Sequence, residues 1–151
     1  AFTTTYGTAS TAQSFAVSGA NLTADLVATA QTGFEVATTQ NGTYGSSVSF
    51  TQSSGSASGT VWLRLKADAS VATSYNSTTA VALTSTSATT VNISTASSGN
   101  AVSAKGLTIT GLSAADKNWD GNTNATVTGT PSYAGLVNSE SFSGLPKANF
   151  T

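Results

Sequence analysis

An all-β fold, an antiparallel β-sandwich followed by a smaller second β domain, is what this sequence predicts. Three observations carry that expectation. Thr and Ser number 28 and 24 of the 151 residues, and β-branched Thr suits a pleated, half-buried surface better than a helix. Apolar and polar residues alternate in short runs, the period of a strand with one face in a core. Turn signals separate those runs at Ser18-Gly19, Asn41-Gly42, Ser54-Gly55, Ser58-Gly59, Ser98-Gly99-Asn100 and Asp120-Gly121, giving the regular spacing of a sandwich.

Taken in order, Phe15 and Val17 alternate with Ser14, Ala16 and Ser18. Phe34 and Val36 flank Glu35, and Val48 and Phe50 flank Ser49. The clearest run is 61–66: Val61, Leu63 and Leu65 on one face, Trp62, Arg64 and Lys66 on the other. It is predicted as a central strand, its odd face in the core and Trp62 shielded by neighbouring side chains. Val81 and Leu83, Val91 and Ile93, then Leu107 and Ile109 continue the pattern. The single weak helical candidate is 113–117, a turn or two at most.

Composition excludes several function classes. The chain has no His, Cys or Met, five basic and six acidic residues, and a net charge of −1. Without His or Cys the usual nucleophile–base triads and zinc clusters cannot be built. Asp25, Glu35, Asp68, Asp116, Asp120 and Glu140 lie in no recognisable acid–base motif, and no enzyme is expected. Arg64, Lys66, Lys105, Lys117 and Lys147 are scattered, whereas nucleic-acid binding needs clustered phosphate contacts. No stretch has the roughly 20 apolar residues of a membrane helix, so no membrane insertion is expected. A cysteine-free chain that starts at Ala1 reads as an exported bacterial segment, extracellular or at the cell surface.

A composition break at 97–100 divides the chain into 1–98, with strands enough for a sandwich, and 99–151, marginal for a core of its own. The second part would pack on the first, be a domain cut short, or be completed by another chain.

The blocks 2–10, 13–23, 32–36 and 60–67 include Thr32-Gly33-Phe34-Glu35-Val36 and Thr60-Val61-Trp62-Leu63-Arg64-Leu65-Lys66-Ala67. In this order, over residues 2–96, they resemble an immunoglobulin-like β-sandwich repeat of large secreted and surface proteins of bacteria. Residues 101–144 look like part of a Tyr-Asp-Gly-type bacterial repeat, on Val102-Ser103-Ala104-Lys105-Gly106-Leu107-Thr108-Ile109 and Asp116-Lys117-Asn118-Trp119-Asp120-Gly121-Asn122-Thr123, with Trp119 in place of the usual Tyr. The resemblance brings no catalytic residue. It implies a spacer, adhesion or assembly module.

Four chemical readings remain beside blander ones. Asp116, Asn118, Asp120 and Asn122, with Gly121, match the first half of a calcium loop, although the place of the bidentate Glu holds Val127; the alternative is a turn in which Asp and Asn bond their own backbone. Lys66, Asn76 and Glu35 could form an intramolecular amide bond, or be solvated separately. Six Asn-X-Ser/Thr triplets, at Asn21, Asn41, Asn76, Asn92, Asn124 and Asn149, barely exceed what so much Ser and Thr gives by chance. Most aromatics sit at alternating strand positions and belong in a core, but Tyr44 and Tyr75, beside turns, are candidates for contact with surface glycans.

Two functions follow. The first is a structural subunit or repeat of an extracellular filament or giant surface protein, whose partners are copies of itself or neighbouring domains. Assembly would run head to tail through a strand donated at Phe2, Thr4 and Tyr6 or at the tail around Leu145 and Phe150. The second is a module of a monomeric adhesin that binds carbohydrate or a host protein through its loops.

Overall fold

A computed structural model gives the fold and describes residues 1–71, 74–137 and 139–142, with the backbone alone at 148–149. All regular structure among them is β. The chain divides into two compact units, 1–104 and 105–151.

The first unit comprises β1 (Thr3–Thr5), β2 (Gln13–Gly19), β3 (Leu26–Ala30), β4 (Phe34–Ala37), β5 (Ser47–Phe50), β6 (Ala57–Leu65), β7 (Thr79–Thr84), β8 (Val91–Ser94) and β9 (Ala101–Ser103). Two antiparallel sheets, β2-β6-β4 and β5-β3-β7-β8, enclose one core in a sandwich-like arrangement. β1 and β9 form a separate parallel pair. A break after Ser98 was expected from the sequence. Residues 99–104 belong instead with the first unit, because β9 pairs with its opening strand.

Alternation explains β6. Val61, Leu63 and Leu65 are buried while Ser58 and Thr60 are exposed and Trp62 and Arg64 half-buried. The strand is central, hydrogen-bonded to β2 and β4, and lies in the predicted orientation. On the outer face Trp62 stands in register with Ser14 and Ala37. From the other sheet the core receives Leu26, Ala28, Ala80 and Val81. Strict alternation forbids burying Ala80 and Val81 together; a register shift between Thr79 and Val81 accompanies it, as a bulge would. Gly33 (φ +85°) closes the turn from β3 to β4, and a Cβ there would come within 2.6 Å of the Tyr75 ring.

The second unit holds β10 (Thr108–Ala114), β11 (Asn124–Ala125), β12 (Val127–Ala134) and β13 (Ala148–Asn149). β10 and β12 form an antiparallel ribbon with a register shift at Gly111, whose φ is +80°. β11 and β13 pair antiparallel over two residues. The helical turn considered for 113–117 is absent: Ser113 and Ala114 pair with Thr128 and Val127, and that cross-strand ladder holds the start of the segment extended. No helix of the described residues is long and apolar enough to cross a membrane.

Candidate functional site

Three places gather polar or aromatic side chains, and each begins from a residue with no free choice of neighbours. The first is the N-terminal strand. Phe2 is buried, its ring edge-on to Phe34 at 6.0 Å, and Phe34 is in turn edge-on to Tyr75 at 5.7 Å. A buried backbone N–H needs an acceptor, and the Phe2 N–H donates to Asn100 Oδ1 at 2.8 Å. Asn100 is itself only 1% exposed. Its amide Nδ2 donates to Asn76 Oδ1 (2.9 Å) and to the Ala96 carbonyl (2.9 Å), and its backbone N–H donates to Asn76 Oδ1 (2.8 Å). One buried carboxamide thus ties the N-terminus to the 75–76 turn and to the loop before β9. The Ala101 N–H donates to the Phe2 carbonyl and the Tyr6 N–H to the Ser103 carbonyl, both at 2.9 Å.

Sequence reading gave Asn100 only a turn. It had no signal for more, since its partner Phe2 lies 98 positions away. The expected donor residues Phe2, Thr4 and Tyr6 are placed in the chain's own first unit: Phe2 and Tyr6 pack with the core, and Thr4 lies in the β1–β9 ladder. Leu145 and Phe150 lie outside the described residues. Tyr75, expected at the surface, is buried; its hydroxyl donates to the Ser70 carbonyl at 3.0 Å.

The second place is the outer face beside β4. Arg64 Nε donates to Glu35 Oε1 at 2.7 Å, and the Arg64 guanidinium lies 3.7 Å over the Tyr44 ring, a cation–π contact. The Tyr44 hydroxyl donates to the Gln40 carbonyl at 2.9 Å. Burial pushes the Tyr44 phenol up from its ordinary value, and the Arg64 charge opposes that shift. Tyr44, expected at the surface, is half-buried, and one face of its ring is covered by Arg64. The trio considered for an amide bond is split among other partners: Glu35 with Arg64, Lys66 with Asp68 at 3.4 Å, and Asn76 with Asn100.

The third place is the loop from β10 to β11. Of the four oxygen side chains considered for calcium, Asp120 and Asn122 converge on the ammonium of Lys117, which donates to Asp120 Oδ1 at 2.5 Å and to Asn122 Oδ1 at 2.8 Å. The Asn122 and Asn124 N–H groups donate to Asp120 Oδ1 (3.1 Å) and Asn122 Oδ1 (3.0 Å). Lys117 thus stands where the loop pattern would put a cation. Its hydrogen bond, first, and the Asn122 N–H, second, hold the Asp120 carboxyl below the usual carboxylate range. Asp116 and Asn118 are not brought into this cluster, and among the described residues no three His, Cys, Asp or Glu side chains gather as metal ligands. The remaining hydrogen-bonding pattern is that of the turn reading, in which Asp and Asn bind backbone two residues on.

No protein-family model matches the chain, and no curated protein or solved structure matches it either.

Proposed function

We propose that this chain is a structural module, a subunit or repeat of a bacterial extracellular filament or giant surface protein, and that its work is mechanical. One observation carries the reading. The first and last strands of the first unit lie side by side and parallel, Thr3 beside Ala101 through Thr5 beside Ser103. Tension applied across the ends of that unit would act along both strands in opposite directions. The ladder bonds and the Asn100–Phe2 bond would then be sheared together rather than opened one after another. Forced unfolding is governed by the barrier to that concerted step. The hydroxyl-rich, charge-poor composition supports the same reading.

Single-molecule pulling tests it. Handles at Ala1 and Lys105 load β1 against β9 in shear; handles at Thr78 and Thr95 open the β7–β8 hairpin from its end. The shear geometry is expected to hold the higher force, and equal or lower force would remove the mechanical reading. Head-to-tail assembly by strand exchange belongs to the same proposal: β1 of one copy would take the place of β1 in the next and make the same contacts in trans. Deleting residues 1–8 then abolishes any polymer in sedimentation, and polymer that survives the deletion removes the exchange.

A further inference from the structure

Trp119 is 80% exposed, on the loop joining β10 to β11. An exposed indole offers a wide aromatic face and one N–H donor to a ligand. The loop's polar side chains explain how it is held. Asp120 and Asn122 turn inward onto Lys117 and onto backbone N–H groups, so the aromatic side chain between Lys117 and Asp120 is left outward. A hollow of about 170 Å³ adjoins it, lined by Lys117, Trp119, Asn122 and Thr123. That is well below the roughly 300–1,000 Å³ of sites for drug-sized ligands. It suits a single ring.

The chemistry of the lining narrows the class of ring. A pyranose presents a face of C–H groups, which packs on an aromatic π-face, and an edge of hydroxyls, which needs donors and acceptors. Trp119 supplies the first, and Asn122 and Thr123 the second. Asn122 Oδ1 accepts from Lys117 and from the Asn124 N–H, which fixes the orientation of its side chain at the edge of the hollow beside the Thr123 hydroxyl. Lys117 is already balanced by Asp120 at 2.5 Å, so the lining offers no unpaired positive charge to attract an acidic sugar. We infer that the Trp119 loop is a binding site for one residue of a neutral hexopyranose glycan, with the Lys117–Asp120–Asn122 cluster as the device that presents the indole. The site lies wholly within the second unit and stands or falls separately from the mechanical reading of the first.

The chain has two tryptophans, so the intact protein labelled with ¹⁵N gives two indole N–H resonances, assigned with Trp119→Phe. Cello-, malto- and manno-oligosaccharides are titrated to about 10 mM, a range that reports weak single-ring binding, with oligogalacturonate as the acidic comparison. The expected result is a saturable shift of the Trp119 resonance with at least one neutral oligosaccharide, no shift at Trp62, and an affinity roughly tenfold weaker or worse in Trp119→Ala. Any of four results overturns the site: no neutral oligosaccharide moves Trp119, the response survives in Trp119→Ala, oligogalacturonate binds as well or better, or Trp119 moves only with protein concentration. The last would make the exposed indole a contact between copies of this chain.

Discussion

The two units draw on the same hydroxyl-rich alphabet and reach opposite degrees of burial. In the first, strands of two sheets close on a core that includes Val36, Val61, Leu65 and Val81, all at 0% exposure. In the second, β10 and β12 pair as a ribbon in which Ile109 is 45% exposed and Thr108, Thr110, Ser113, Thr128, Thr130 and Ser132 all face solvent. Among its described residues Tyr133 stacks on Phe142, ring centres 5.2 Å apart. Period-two alternation makes a strand, but only a second sheet laid over its apolar face makes a core, and two strands without such a layer are marginal in water.

The comparison is broken most sharply by truncation on β6. Leu63→Ala should cost about 2–5 kcal/mol in a denaturant melt, the range for an aliphatic side chain removed from a packed core. Trp62→Ala, on the half-exposed outer face of the same strand, should cost less. The reverse order would mean that the inner and outer faces are exchanged. Next comes Asn100→Ala, which leaves the Phe2 N–H without its buried acceptor and removes the amide donor to Asn76 Oδ1 and the Ala96 carbonyl. A loss of about 1–3 kcal/mol is expected, with faster amide exchange at Phe2 and across β1. Exchange unchanged at Phe2 would show that the N-terminal strand is held by other means. Gly33→Ala, at positive φ and against the Tyr75 ring, should lose about 1–3 kcal/mol through strain and displacement of that ring. A neutral result would mean that Tyr75 can move aside without loss.

Smaller effects belong to the second unit. Ile109→Ala should change stability by no more than about 0.5 kcal/mol, as for exposed positions elsewhere. A loss as large as that of Leu63→Ala would reveal an apolar layer over the ribbon. The smallest effect is acid titration. Asp120 has a depressed carboxyl pKa in the folded loop, so the stabilisation it gives is present above the unfolded value of about 3.9 and is lost as pH falls through the lower folded value. Carbon-detected titration should place the Asp120 midpoint below the ordinary aspartate value, with the first unit's melt unaffected by Lys117→Met. An ordinary Asp120 midpoint would remove Lys117 from the centre of the loop.

Legibility followed the range of each interaction. The faces of β6 could be read directly because the run Val61-Trp62-Leu63-Arg64-Leu65 is strongly patterned, although the strand extends back through Ser58-Gly59 to Ala57. β3 was harder: Leu26-Val27-Ala28-Thr29-Ala30 mixes small side chains on both faces, and only the fold shows Ala28 at 0% exposure. Of the calcium pattern in 116–122, Asp120 and Asn122 come together but on Lys117, while Asp116 and Asn118 stay outside the cluster, since that depends on the path by which Lys117 folds back on its own loop. Tyr75 looked exposed beside its turn, yet the ring turns inward to Phe34 and Gly33.

What the sequence determined by itself is what depends on neighbours one or two residues away, strand period, inward and outward faces and the poverty of ionisable chemistry, whereas Ser18-Gly19 and Ser58-Gly59, expected as turns, lie inside β2 and β6 and pair with one another. Tertiary structure alone decided the parallel pairing of β1 with β9, the burial of Asn100 against Phe2, and the outward Trp119. The physical reason is that side-chain alternation is fixed by the local pleat, whereas hydrogen-bond partners of buried polar groups are chosen by whichever distant segment the core brings within about 3 Å.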